Sequence, residues 1–168
     1  MRRLSKKTLY QVCGLAVPLL TFFSPSWISI AGVSPRWAEL WLLPWALEQG
    51  PLAGGLGGFC LGILLDAMNL HGTTQIPSLI LIGYWWGRVG RKEEYIYKNF
   101  TLGFLAWVGA LVNGLFIWLQ QIFALKEGVL FVFNAWAFHT VLAGSILTGL
   151  IAPLLCPLIM RAFFKGRA

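Results

Sequence analysis

The chain has 168 residues, 58% of them apolar and 11% charged, with a net charge of +7; an average soluble domain carries roughly 45–50% apolar and about 25% charged residues. This composition excludes an ordinary water-soluble globule. The basic excess does not describe a nucleic-acid site either, because the Lys and Arg residues lie at the ends of apolar segments and not on one folded patch.

In chain order, the uncharged stretches from Lys7 to Arg36, Asp66 to Arg88, Lys98 to Lys126 and Glu127 to Arg161 each exceed the ~20 residues that a membrane-spanning helix needs. The sequence therefore predicts an all-α, polytopic membrane protein. Its six transmembrane helices are expected over 9–30, 37–49, 51–68, 76–89, 99–123 and 133–160, in a single integral membrane domain covering 1–168. The start MRRLSKKTLYQV resembles the basic region of a signal peptide. The apolar run after it is too long and has no convincing small-residue cleavage site, so 9–30 is expected as a retained first helix, with Pro18 and Pro25 in its path.

The next stretch, Trp37 to Met68, is too long for one helix and is divided by the turn-like EQGP at Glu48 to Pro51. Its first half is short and must be tilted or supported by neighbours. It carries Trp37, Trp41 and Trp45 at helical spacing, which suits interfacial anchoring and packing as well as it suits a partner helix. The turn NLHGTTQ leads to 76–89, where Tyr84, Trp85 and Trp86 fit an interfacial aromatic belt. The charged segment RVGRKEEYIYK and the loop ALKEGVL flank 99–123. The last helix contains Pro153 and Pro157.

Placing the N-terminus inside puts Arg2, Arg3, Lys6, Lys7, Arg88, Arg91, Lys92, Lys98, Arg161, Lys165 and Arg167 on the cytoplasmic side and leaves only Arg36 and Lys126 outside. Both termini are thus expected in the cytoplasm. Four spans plus a re-entrant 37–68 hairpin satisfy the same parity. Cys13, Cys60 and Cys156 all fall in apolar stretches without paired spacing, and are expected as small buried hydrophobes.

Among polar residues, Asp66 stands out. Gly54, Gly58 and Gly62 recur every four residues on one helical face, where missing side chains let another helix approach closely. Asp66 continues that stripe, near a helix C-terminus where the dipole disfavours negative charge. Within hydrocarbon a carboxylate costs roughly 2.5–3.5 kcal/mol on insertion scales. Either Asp66 is hydrated near the surface or caps the following turn, or it meets a specific partner. His139 is then the first intramolecular candidate, with Asn69, His71 and Arg36 behind it.

No catalytic constellation survives inspection. Glu93 and Glu94 with Lys98 and His139 superficially resemble a glutamate and histidine protease set, but the expected topology separates the glutamates from the histidine. Ser145 and His139 are six residues apart and do not stack on one helix face. No metal-ligand spacing, phosphate loop or dinucleotide fingerprint is present, and no cofactor is expected. Asn113, Gln120, Gln121, Asn134, Thr140 and Thr148 complete the sparse polar inventory within the spans.

The run GGLGGFCLGILLDAM, preceded by Pro51 and followed by a short turn and another apolar helix, resembles the MreD family of bacterial rod shape-determining membrane proteins. Gly58, Phe59, Gly62 and Asp66 match its glycine, phenylalanine, glycine and terminal aspartate. In many relatives a glycine follows the aspartate sooner than Gly72 does here. The resemblance implies a non-enzymatic membrane scaffold of the elongation machinery in the bacterial cytoplasmic (inner) membrane. Its partners would be an MreC-like protein, with MreB, RodA and a penicillin-binding transpeptidase of peptidoglycan synthesis alongside, and membrane lipid. Gly54, Gly58, Phe59, Gly62 and Asp66 would form the packing or partner interface. The family's fold is similar to the S-component of energy-coupling transporters, and an outward-opening vitamin-binding subunit is the alternative from a different functional class.

Overall fold

The computed structural model describes residues 10, 14, 16–22, 33–68, 73–91, 99–124 and 135–163. Six α-helices make up the described elements: α1 (Val17–Phe22), α2 (Trp37–Gln49), α3 (Pro51–Met68), α4 (Ile76–Gly90), α5 (Asn99–Ala124) and α6 (Ala135–Phe163). Three of them are long and apolar enough to cross a membrane, over Pro51–Met68, Phe100–Gln121 and Phe138–Phe163. These helices mark a membrane protein.

Among the described residues the expected six full spans are not matched, and most of the expected first span, 9–30, lies outside them. At 1.5 Å per residue the 13 residues of α2 and the 15 of α4 extend only about 20 and 22 Å, short of a hydrocarbon core of about 30 Å. Both are stopped by local chemistry. Gly50, at φ +91°, ends α2 in a conformation natural only to glycine, and Pro51 opens α3 one residue later, where its missing N–H is no loss. Pro77 likewise sits in the first turn of α4. The guanidinium of Arg91 covers the Gly50 turn, since a Cβ there would lie 2.9 Å from its Nε.

Two helix pairs pack most closely. In the first, the glycine stripe of α3 meets α4 in antiparallel contact: Gly54 lies against the backbone of Gly83, Gly58 against the Leu79 carbonyl, and a Cβ on Gly62 would fall 2.7 Å from the Ile76 Cα. The partner helix supplies its own small residues, with Gly83 facing Gly54, Gly87 facing the Gly50–Pro51 backbone and Gly90 facing Leu47. In the second pair, Gly103 of α5 faces Gly149 of α6 at one end, and Gly114 faces Val141 at the other. The short α2 runs between the pairs. Leu40, Leu42, Leu43, Ala46 and Leu47 of this helix belong to the buried core with Leu79, Ile82, Leu102, Ala106, Ala152 and Cys156.

Aromatic residues separate by face. Trp86 is fully buried and its ring lies against Gly109, so it is not a belt residue as the sequence predicts, whereas Tyr84 and Trp85 are exposed. A step of 100° per residue carries Trp86 onto the inward face shared by Leu79, Ile82 and Gly83. The tryptophans of α2 pack within the chain: Tyr10 stacks on Trp41 and Trp45 at centroid distances of 4.6 and 5.6 Å and meets Phe163 edge-on. The indole of Trp45 donates to the Ala53 carbonyl at 3.1 Å. Cys156 is buried as expected. Cys60 is exposed instead, because it lies on the outward face of α3 near Phe59 and Ile63; Cys13 lies outside the described residues.

The α3–α4 contact gives a direct test. Gly58→Leu forces a side chain into the Leu79 backbone and is expected to lower stability in detergent by about 3 kcal/mol or more. Gly55→Ala, whose Cβ would meet only ordinary contacts at 3.8 Å, is expected to change it by less than about 1 kcal/mol, toward greater stability. Equal effects of the two in reversible unfolding would contradict the packing described.

Candidate functional site

The described residues bury five polar side chains: Glu39, Ser78, Asn113, Ser145 and Thr148. Three of them join into one chain across three helices. Ser78 Oγ of α4 donates to Asn113 Oδ1 of α5 at 2.7 Å, and Asn113 Nδ2 donates to Glu39 Oε1 of α2 at 2.8 Å. The Arg36 guanidinium lies one helical turn before Glu39, with Nε 3.9 Å from Oε1, an ion pair without a hydrogen bond. Arg36 also ties in the fourth helix, since its backbone N–H donates to Thr148 Oγ1 at 3.1 Å, and that hydroxyl donates to the Gly144 carbonyl at 2.7 Å.

Missing side chains make room for this cation. A Cβ on Gly114 would lie 3.0 Å from Arg36 Nη2, and one on Gly144 would lie 3.8 Å from Nε. The guanidinium therefore lies in a slot between α5 and α6 that Gly114 keeps open, with Gly144 in ordinary contact. Glu39 Oε2 and Arg36 Nε are buried and have no hydrogen-bond partner among the described residues. In a low-dielectric interior, such groups strongly favour whatever arrangement keeps the two charges together.

Asp66 plays a different part from a deep charge partner. Its Oδ1 accepts the backbone N–H of Gln75, the residue that precedes α4, at 2.9 Å. It thereby satisfies a donor at the start of the next helix, the turn-capping role the sequence allowed for it. Gln120 of α5 grips the same turn from outside, accepting from the Thr74 N–H and donating to the Thr74 carbonyl, both at 2.8 Å.

His139 is exposed on α6, and no hydrogen bond or ion pair joins it to Asp66 among the described residues, so the expected pairing is corrected. Arg36, a second candidate for Asp66, pairs with Glu39 instead. Asn69, His71, Glu93, Glu94 and Lys98 lie outside the described residues. Ser145 Oγ donates back to the Leu142 carbonyl of its own helix.

The remaining sequence-derived residues divide by face. Gly54, Gly58 and Gly62 are turned inward onto α4, while Phe59 stands 42% exposed on the flank of α3 beside that stripe. Sequence reasoning singles out Asp66 and misses Glu39. The available signal was an arginine and a glutamate three residues apart at the head of an apolar helix, together with Asn113 deep inside a span, all of which read as functional inside a membrane.

A capping role for Asp66 has a measurable signature. Asp66→Ala is expected to lower stability in detergent by about 0.5–2 kcal/mol, and His139→Ala to leave it within about 0.5 kcal/mol; a larger loss from the histidine would contradict the geometry. No family model, no curated protein and no solved structure matches the chain.

Proposed function

We propose that the chain is a non-enzymatic membrane scaffold of the bacterial cell-elongation machinery, acting in rod shape determination and control of peptidoglycan synthesis through an MreC-like partner. The observation that carries this reading is the use made of polar groups. Glu39, Asn113 and Ser78 close onto one another between helices, while Leu52, Leu56 and Phe59 present an apolar outward face on α3. A carrier needs ionisable and polar groups along its path; a scaffold needs a fixed core and an apolar face for a partner's span. The resemblance of Gly58, Phe59, Gly62 and Asp66 to the MreD pattern points the same way.

In this reading the chain sits in the cytoplasmic membrane with both termini inside, and α2 and α4 are short spans supported by longer neighbours and local bilayer thinning. The arrangement of charge agrees with that orientation. Arg88 and Arg91 close α4 at the end holding the Gly50 turn, and Arg36 opens α2 at the other. A six-helix layout similar to that of vitamin-binding S-components belongs to the same proposal.

Depletion of the protein is expected to round or widen rod-shaped cells, and the tagged protein is expected to retain a single-span MreC-like protein on purification. Phe59→Ala should weaken that retention without lowering stability. Normal cell shape after depletion, together with high-affinity uptake of a vitamin, would overturn the scaffold and favour the transporter subunit.

A further inference from the structure

A second feature of the molecule lies on the exposed side of the α5–α6 pair, where Gly149 follows the Thr148 that bonds Arg36. Gly103 and Gly149 form the floor of an apolar groove of about 340 Å³, walled by Phe100, Phe104, Trp107, Ile146 and Leu150. Both helices are long and apolar enough to span the bilayer, so the groove opens toward hydrocarbon. Its rims are high, with Phe100 86%, Phe104 54% and Leu150 64% exposed. Those projecting side chains hold the backbone of another helix, a rod of about 10 Å diameter, away from the glycine floor. A thin flexible chain can reach it.

A positive charge, Arg161, lies about 12 Å along α6 beyond the Pro153 end of the groove. Leu150, Leu154, Leu158 and Arg161 follow one another at helical spacings of four, four and three, so the arginine ends the apolar stripe that borders the groove. Arg161 is exposed and takes part in no ion pair among the described residues. It lies about 16 Å along the helix from Leu150, close to half the thickness of a hydrocarbon core of about 30 Å. That spacing is the length an acyl chain needs to run from Leu150 to a phosphate beside Arg161.

We propose that this groove binds one anionic phospholipid from the leaflet at the Arg161 end, with an acyl chain on the Gly103–Gly149 floor and the phosphate paired with Arg161. Charge complementarity selects the headgroup, and rim height selects a chain over a helix. The site is independent of the scaffold reading, since it depends only on α5 and α6 lying in a bilayer.

The test is native mass spectrometry of the full chain released from nanodiscs of equal phosphatidylglycerol and phosphatidylcholine. The wild-type protein is expected to retain a single lipid, with phosphatidylglycerol preferred about fivefold, the scale of one basic residue near an anionic surface. Arg161→Gln is expected to remove the preference while keeping the lipid, and Ile146→Trp, which fills the groove from a half-exposed position, to lose the lipid altogether. Equal retention of both lipids by the wild-type protein would overturn the proposal without any variant. Unchanged retention in folded Ile146→Trp, or a dimer that this substitution dissociates, would overturn it as well.

Discussion

The constraint on which the described fold depends is the chain from Ser78 through Asn113 to Glu39. It connects α4, α5 and α2, and the Arg36 backbone extends it to Thr148 on α6. The α3–α4 and α5–α6 pairs are each held by close glycine contacts, but apolar surfaces in lipid gain little from meeting one another, because the surrounding tails are equally apolar. A buried carboxylate, by contrast, has few acceptable positions. The observed arrangement brings the Asn113 amide of α5 to Glu39, while Arg36, three residues earlier on the same element, carries its charge along with α2.

The other conspicuous features follow from placing that centre inside crowded helices. Gly114 leaves space for the Arg36 guanidinium, Gly109 leaves space for the Trp86 indole, and Gly54 with Gly83 lets α3 and α4 meet backbone to backbone. Each removes a Cβ where something larger must pass. Asp66 and Gln120 then fix the α3–α4 turn at two points, through the Gln75 amide and the Thr74 peptide, which sets the height at which Ser78 enters the centre. The polar network and the glycines are thus complementary parts of one packing solution.

Much of the local structure was legible because it is written in strong local signals. Gly50 and Pro51 mark the boundary between α2 and α3, and the four-residue glycine repeat announces a close helix face. The partner face at Gly83, Gly87 and Gly90 carries the same kind of signal, though its pairing depends on register and cannot be read from one helix. Glu39 was harder. Its signal, a glutamate one turn after an arginine, is local and weak, and its complete burial comes from the tertiary packing around α2. Trp86 was misread for a related reason: a run of three aromatics suggests one role for all, but a helix turns each to a different face. His139 is exposed on α6, while Asp66 spends its Oδ1 on the Gln75 amide nine residues along the chain, a local bond that a search for distant partners overlooks.

The central claim is that Glu39 and Asn113 hold the helix pairs together through their direct hydrogen bond. A double-mutant cycle with Glu39→Leu, Asn113→Leu and the combined variant, read by reversible unfolding in detergent, measures that bond against its surroundings. The account predicts a coupling of about 1 kcal/mol or more, within the range found for polar pairs between membrane helices and raised by the charge. Additive losses, agreeing within about 0.3–0.5 kcal/mol, would contradict it.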